Sequence, residues 1–170
     1  GGLGLAAPLY AAAGGAVTKP RVLLIGGGGC ALPPVLYDAL GATVTAVEPD
    51  DEVRSIAREY FGAPGAWGEL VGGCGAEAVA AASDGSFDIV VVDAADGGNA
   101  PPDALASPAF FADVGRVLAP RTAVLAVNVV ARDAETLARV RDAAACVGGA
   151  RFECERWCLV VGRGDEHHIC

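Results

Sequence analysis

The sequence predicts an α/β fold in which a mostly parallel sheet of seven strands carries helices on both faces. Three observations support this prediction. Short apolar runs alternate with helical segments, the pattern of parallel strands joined by crossover helices. Four glycines, Gly26-Gly27-Gly28-Gly29, directly follow the first apolar run. The last two apolar runs have no helix between them, so the last strand is expected to be antiparallel.

The first half of the chain supplies three of the strands and three helices. Apolar or β-branched runs predict the strands. Pro33 and Pro34 are tolerated in the first turn of the first helix, and the acidic triplet that begins at Asp50 suits the positive start of the second. In chain order we expect strand Arg21 to Ile25, helix Leu32 to Leu40, strand Thr43 to Val47, helix Asp50 to Tyr60, a weak strand Gly68 to Val71 and helix Ala76 to Ala82.

The second half begins with the clearest strand of the chain, the run FDIVVV, and a loop follows it because glycines and prolines cluster there. Ser107 is expected to be the N-cap of the next helix, with Pro108 at its first position. In order we expect strand Phe87 to Val92, loop Ala94 to Ala104, helix Ser107 to Leu118, strand Thr122 to Val130, helix Asp133 to Cys146, and strands Ala150 to Cys154 and Trp157 to Val161.

The composition predicts a folded domain with an acidic surface. Of the 170 residues, 53% are hydrophobic and 19% are charged, which excludes a disordered chain. The net charge is -9 and no basic cluster exists, so we do not expect a nucleic acid as a partner. The acidic surface suits a basic protein or a cationic small molecule, or serves solubility alone.

Three segments are expected along the chain: an apolar N-terminal segment over 1–20, the α/β domain over 21–162 and a tail over 163–170. The sequence contains no Met, and the stretch from Gly1 to Val17 lacks the basic start of a signal peptide. We therefore expect a processed or incomplete N-terminus. The stretch is short and rich in glycine, so a membrane span is not expected, although membrane contact by this segment stays open.

The six cysteines predict free thiols, since their spacing matches no disulfide framework. Reduced thiols favour the cytoplasm or an organellar matrix or stroma. An alternative is a metal site that combines the cysteines of the last strands with the tail. Its spacing matches no common zinc pattern, so no metal is predicted; its ligands would be Cys154, Cys158, His167, His168 and Cys170.

A nucleotide-type turn is the first functional motif. Gly26-x-Gly28-x-x-Ala31 fits the pattern G-x-G-x-x-G/A, in which glycines allow a sharp turn and close approach of a ligand to the backbone. An acidic residue about twenty positions further on is expected to reach a ribose hydroxyl pair, and Glu48 stands there. The alternative is a tight turn that binds nothing and a Glu48 that caps the following helix.

The second motif is the pair of acids Asp93 and Asp96 after the fourth predicted strand. Ligands of open α/β sheets bind at the carboxyl ends of the strands. Gly26, Glu48 and both aspartates are expected at that edge. Two carboxylates there could hold a cationic amine and accept its proton. The alternative is a pair of solvated loop acids.

Four stretches together resemble a known family: RVLLIGGGG, TVTAVEPDDEVRSIAREYFG, FDIVVVDAAD and LAPRTAVLAVNVVARD. In this order they are similar to the spermidine-synthase-like branch of class I S-adenosylmethionine-dependent methyltransferases, which have a Rossmann-like sandwich fold. Within that branch the chain most resembles the methyltransferase-like proteins that modify lysine or the N-terminal amine of translation elongation factor 1-alpha. The segment from Asn128 to Asp133 carries that likeness.

The resemblance implies a cofactor, an activity and roles for named residues. It implies an S-adenosylmethionine-dependent methyltransferase that acts on an amine of a protein substrate. The cofactor would lie across the glycine turn with its ribose on Glu48, and Asp93 would border the methyl-transfer pocket with Asp96 as a second catalytic residue. The cofactor-binding residues implied in this way are Gly26, Gly27, Gly28, Gly29, Glu48, Cys74, Gly75 and Asp93.

Two departures keep a second function open. Where the family has an acid and a glycine beside the adenine, this chain has Cys74 and Gly75, and a thiol is a poor acceptor for an amino group. The familiar Pro-Gly-Gly before the fifth strand is replaced by Pro120-Arg121-Thr122. The alternative function is therefore a degenerate methyltransferase fold that serves as an accessory subunit of a larger assembly. Polyamine chemistry and a nicotinamide-dependent enzyme also remain, although the final strand pair argues against the latter.

Overall fold

The computed structural model describes residues 17–95, 101–120, 123–129 and 134–148, together with the backbone of 150–154 and 158–163. These residues form seven strands and five α-helices, with short 3-10 turns at Asp103–Ala106 and Ala144–Val147. In chain order the elements are β1 (Arg21–Ile25), α1 (Leu32–Leu40), β2 (Thr43–Glu48), α2 (Asp51–Phe61), β3 (Gly68–Gly72), α3 (Gly75–Ala81), β4 (Ile89–Val92), α4 (Pro108–Val117), β5 (Ala123–Asn128), α5 (Ala134–Ala143), β6 (Ala150–Cys154) and β7 (Cys158–Arg163).

The described strands form one sheet in the order β3-β2-β1-β4-β5-β7-β6. From β3 to β5 the neighbours are parallel, whereas β7 runs antiparallel to both β5 and β6. The chain reverses its direction of strand addition after β3, so β1 and β4 are neighbours at the centre. Ligands bind at such a switch point, outside the carboxyl ends of the strands.

Both faces of the central strands are buried, because alternate side chains of β1 and β4 enter two different cores. Leu23 and Val90 pack with Phe111 and helix α4 on one face. Leu24 and Val91 pack with Leu36 of α1 and Ala57 of α2 on the other. The predicted mostly parallel sheet with helices on both faces is confirmed.

Helix starts follow the predicted local chemistry. The Asp50 side chain accepts hydrogen bonds from the backbone N–H groups of Glu52 and Val53, so Asp50 is the N-cap of α2 rather than its first residue. The Ser107 side chain accepts from Phe110 N, with Pro108 at the first helical position. Both caps satisfy backbone donors that a helix start leaves unpaired.

Strand β4 begins two residues later than its apolar run predicts. Asp88 is 3% exposed, and its carboxylate accepts hydrogen bonds from both the backbone N and the guanidinium of Arg21. Phe87 forms a single parallel bridge with Leu118 instead of joining the sheet ladder. Asp88 therefore links the start of β4 to the start of β1. Only four of the six predicted residues form the strand.

Other boundaries move by one or two residues. Helix α5 ends at Ala143, and the predicted remainder tightens into the 3-10 turn Ala144–Val147, a common ending for a helix. Of the strand predicted over 122–130, the described residues form β5 over Ala123–Asn128, and Val129 lies beyond its end. Thr122 and Val130 lie outside the described residues. In the part of the chain that the structure describes, no helix has the length and apolar character needed to cross a membrane.

Candidate functional site

A cavity of about 540 Å³ opens at the carboxyl edge of the sheet, where β1, β2 and β4 end. Its volume falls within the roughly 300–1,000 Å³ of small-molecule sites. Two carboxylates, Glu48 and Asp93, belong to its described lining, which contains no Lys, Arg or His. The lining residues are Ile25, Gly26, Gly27, Gly28, Gly29, Ala31, Val47, Glu48, Pro49, Val53, Cys74, Gly75, Asp93, Ala94, Ala95, Pro102, Ala104 and Leu105.

The glycine turn needs glycine for different reasons at different positions. Gly26 has a φ of 88°, and a Cβ there would lie 2.5 Å from the carbonyl oxygen of Asp93. A Cβ on Gly27 would lie 3.2 Å from a methyl group of Leu70. At Gly28 the φ is 49°, but a Cβ would have no atom within 4 Å. Gly26 is therefore required by packing, whereas Gly28 leaves open space in the lining of the cavity.

Glu48 is held in place by the turn that it faces. It is 8% exposed, and its Oε2 accepts a hydrogen bond from Gly28 N at 2.9 Å. Its Oε1 accepts from Asp50 N at 3.1 Å. Because a carboxylate oxygen has two lone pairs, each oxygen can accept a second hydrogen bond. The cap of α2 is Asp50, so Glu48 does not serve as the helix cap that the alternative interpretation assigned to it.

Arg54 connects the elements that support Glu48. Its guanidinium donates to the carbonyl oxygen of Glu48 and to the carboxylate of Asp51. The same group lies against Gly72 at the end of β3, where a Cβ would be 2.7 Å from Arg54 Cζ. Helix α2 is thereby tied to the ends of β2 and β3, and the backbone that carries Glu48 is fixed.

Asp93 leaves β4 beside Asn128, which ends β5. Asn128 Nδ2 donates a hydrogen bond to Asp93 Oδ1 at 2.7 Å. Burial raises the pKa of the Asp93 carboxyl, and the hydrogen bond from Asn128 lowers it in part. The result is a partly buried carboxyl with a raised pKa in a cavity wall, the character expected of a proton acceptor.

The adenine side of the predicted site lies at the start of α3. Cys74 is exposed and lines the cavity, and its thiol makes no capping hydrogen bond to the helix. Gly75 packs so tightly that a Cβ would lie 2.2 Å from Cγ2 of Ile25. The glycine of this pair is thus explained by packing against β1, while Cys74 leaves a weak hydrogen-bonding group facing the cavity.

Cys30 is a second thiol close to the turn, but it is buried. Burial raises the pKa of Cys30, the negative charge of Glu48 raises it further, and Arg58 opposes the rise. The thiol therefore stays protonated at neutral pH and is a poor nucleophile. Cys30 N donates to the carbonyl oxygen of Gly27 at 2.8 Å, which closes the turn.

The structure brings most of the predicted site residues together around one cavity. The four glycines of the turn, Glu48, Cys74, Gly75 and Asp93 all line it. Asp96 lies outside the described residues, so its predicted role stays a prediction. Pro49, Val53, Pro102, Ala104 and Leu105 were not predicted as part of the wall. Their apolar character gives no local signal, since they join the cavity through the fold.

Asn128 was not predicted as a residue of the site, because only acidic residues were considered at the strand ends. It follows an apolar run and ends the strand next to β4, so its position at the carboxyl edge was the available signal. Among the described residues no group of three His, Cys, Asp or Glu side chains could hold a metal ion. The alternative metal site depends on His167, His168 and Cys170, which lie outside the described residues.

The comparisons with known proteins identify the fold. The chain superposes on human methyltransferase-like protein 13 in complex with SAH with a TM-score of 0.79 and 20% identity, covering 98% of this chain and 84% of that one. A probable spermidine synthase from Corynebacterium glutamicum gives 0.77 and 21%, with 94% and 61% covered. The spermidine synthase from Thermotoga maritima gives 0.75 and 19%, with 93% and 57% covered.

The chain has the class I S-adenosylmethionine-dependent methyltransferase fold. No protein-family model matches the sequence, and no curated protein matches it. The chain spans 61% and 57% of the length of the two spermidine synthases. At these identities the likeness identifies this methyltransferase fold, and the chemistry must be argued from the site itself.

Proposed function

We propose that the protein binds S-adenosylmethionine in the cavity at the glycine turn and transfers its methyl group to an amine of a protein substrate. The observation that carries the proposal is that two carboxylates, Glu48 and Asp93, line one cavity together with Gly28 of the glycine turn. Bound there, the cofactor supplies a methyl group activated by a sulfonium. All the chain has to add is binding, orientation and a proton acceptor.

The described residues fit this cofactor. Gly28 leaves space where a side chain would otherwise stand. Glu48 is fixed by two backbone N–H groups and keeps lone pairs for ribose hydroxyls. The described lining carries carboxylates and no basic side chain, which suits a cationic ligand. Glu48 alone would also suit the ribose of a nicotinamide cofactor. The second carboxylate, Asp93, in a described lining without a basic side chain is what favours a cationic ligand over a phosphate-bearing one.

Asp93 has the properties needed at the reacting end. A lysine or N-terminal ammonium must lose a proton before its nitrogen can attack a methyl group. The ionised Asp93 carboxylate can hold that ammonium and take the proton, and its raised pKa makes it a better base than an exposed aspartate. The acidic chain, with a net charge of -9, would also attract a basic protein substrate.

A second candidate function is an accessory subunit built on the same fold, and Cys74 favours it. The thiol stands where an acceptor for the adenine amino group is expected, and loss of that acceptor weakens the case for tight cofactor binding. A partner assembly would then replace the protein substrate as the ligand of this chain.

The test is methyl transfer to protein amines from cofactor with an isotopically labelled methyl group. Lysine-rich proteins serve as acceptors, and the same proteins with their amines acetylated serve as the matched control. We expect label in the untreated acceptors alone. Equal label in both would contradict the amine assignment. No label in either, from folded protein that binds the cofactor, would favour the accessory function.

A further inference from the structure

The side chains of Asp93 and Asn128 are neighbours because of strand register. Val92 of β4 is paired with Val127 of β5. The next residues, Asp93 directly after β4 and Asn128 at the end of β5, therefore lie at the same level of the sheet. Their side chains meet at 2.7 Å, with Asn128 Nδ2 as the donor and Asp93 Oδ1 as the acceptor. The contact joins the ends of two adjacent strands, and a group on regular structure is held more firmly than one on a loop.

The contact leaves the two oxygens of Asp93 unequal. Oδ1 accepts the hydrogen bond from Asn128, whereas Oδ2 has no hydrogen bond to any residue of the described part of the chain. Asp93 lines the cavity, and Pro102 and Leu105 contribute apolar side chains to the same wall. Among the described residues, one oxygen is thus committed to the protein and the other is left for a ligand.

We propose that Asn128 is a positioning residue for amine methylation: its amide fixes Asp93 through Oδ1 and leaves Oδ2 to meet the acceptor amine. This inference rests on the proposed function. An amide N–H donates and does not itself titrate, so it favours the ionised carboxylate over the protonated one. In the acceptor step the ammonium proton moves to Oδ2, and the amine nitrogen uses the electron pair that it keeps to form a bond to the methyl carbon. The bond from that carbon to sulfur breaks, its electron pair goes to sulfur, and the sulfonium leaves as a neutral thioether.

Two effects act in opposite directions on the charge of Asp93. Burial raises its pKa, and the bond from Asn128 lowers it. The other titratable groups of the described cavity lining are Glu48 from β2 and Cys74 from the turn before α3. The two causes of the Asp93 shift are its burial and the hydrogen bond from Asn128. Asn128 is therefore the neighbour through which the carboxylate can be adjusted without adding a charge.

The experiment is a titration of the Asp93 carboxyl carbon by nuclear magnetic resonance in the whole chain labelled at aspartate. Asp93→Asn assigns the signal. Asn128→Leu removes the donor at similar volume, and Asn128→Ala is a second variant in case the first does not fold. We expect the pKa of Asp93 to rise by about one unit, the scale of one lost hydrogen bond to a charged group.

Thr45→Val is the matched control. Thr45 Oγ1 donates a hydrogen bond to the Glu69 carboxylate at 3.0 Å, between the parallel strands β2 and β3. Like the Asn128 variants, Thr45→Val therefore removes a donor to a carboxylate between adjacent parallel strands. It lies outside the cavity lining, and Asp93 should titrate as in the unaltered chain. An unchanged Asp93 pKa in both folded Asn128 variants would overturn the proposal.

The titration needs neither cofactor nor acceptor, so its outcome is separate from that of the proposed function. In a methyl-transfer assay, Asn128→Leu should move the acid limb of the rate profile to higher pH, in parallel with the titration. A purely structural role would lower the rate equally at every pH and contradict the proposal. If the unaltered chain transferred no methyl group, the proposed function would be overturned. The effect of Asn128 on the pKa of Asp93 could still be measured.

Discussion

The carboxylate of Glu48 closes on the backbone of Gly28: Oε2 accepts the Gly28 N–H at 2.9 Å across a separation of 20 residues. This single bond joins the end of β2 to the turn that follows β1, the two parts of the motif that the sequence suggested separately. It fixes the acid at the cavity wall before any ligand arrives, and such preorganisation lowers the cost of binding.

Glu48→Gln should weaken S-adenosylmethionine binding by roughly 1–3 kcal/mol, the scale of a lost hydrogen bond to a charged group. The variant removes the charge and also replaces one acceptor by a donor that cannot accept the backbone N–H. Calorimetry measures the effect. Glu69→Gln, an exposed acid on β3 outside the cavity lining, is the control and should bind normally. Unchanged affinity in Glu48→Gln would contradict the ribose assignment.

Two neighbouring glycines should respond differently to alanine. In Gly28→Ala the new Cβ meets open space, so the protein should fold with a loss of about 1–2 kcal/mol from the left-handed backbone but bind cofactor poorly. In Gly26→Ala the Cβ meets Asp93 O at 2.5 Å, and the loss of unfolding free energy should be larger. Chemical denaturation and calorimetry separate the two effects. Normal cofactor binding by Gly28→Ala would place the ligand elsewhere.

Cys74→Asp should strengthen cofactor binding. The exposed thiol lines the cavity on the expected adenine side, and a carboxylate there could accept the adenine amino group. A gain of about tenfold is expected, which corresponds to about 1.4 kcal/mol and to one added hydrogen bond. Cys146→Asp, at an exposed thiol outside the cavity lining, should change nothing. Equal or weaker binding by Cys74→Asp would sink the adenine assignment and strengthen the accessory function.

Asp93→Asn should lower turnover by about 10²–10⁴-fold, the range typical of a lost general base, and lower cofactor affinity by much less. Because burial raises the pKa of Asp93, the rate of the unaltered chain should rise with pH through a value above that of an ordinary aspartate. The stability that protonated Asp93 contributes is present in acid and lost as pH rises through the same value. Equal losses of turnover and affinity in Asp93→Asn would argue against a role in the chemical step.

Arg21→Leu should reduce the unfolding free energy by about 1–3 kcal/mol, since it leaves the buried Asp88 carboxylate without its side-chain donors. Urea denaturation measures the change. Arg21→Leu combined with Asp88→Asn should recover part of it, because the uncompensated charge is then removed. A double variant less stable than Arg21→Leu alone would show that Asp88 contributes through contacts other than this pair.

The sequence predicted the elements well where local chemistry decides them. The runs at β1 and β2, the Ser107 cap and the glycine turn depend on neighbours along the chain, and the structure has them close to the expected positions. The predicted element boundaries were wrong where a residue distant in the sequence determines them. Phe87 and Asp88 have strand-like neighbours, but Phe87 forms an isolated bridge with Leu118. The Asp88 carboxylate binds Arg21, 67 residues away.

The same distinction applies to the candidate site. Glu48 and Asp93 could be predicted because each follows an apolar strand, and parallel strands end at a common edge. The pairing of Asp93 with Asn128 depends on the order of β4 and β5 in the sheet and on their register, which no local pattern contains. Val53 and Leu105 likewise join the cavity wall only through packing of distant segments.

Calorimetric titration of the whole chain with S-adenosylmethionine, and with S-adenosylhomocysteine as a companion, tests the central claim most directly. The account predicts one site per chain with micromolar affinity for the cofactor, weakened more in Glu48→Gln than in Asp93→Asn. Absence of binding at millimolar ligand by folded protein would contradict a cofactor site at the Gly28–Glu48 turn and make the accessory subunit the better account of this fold.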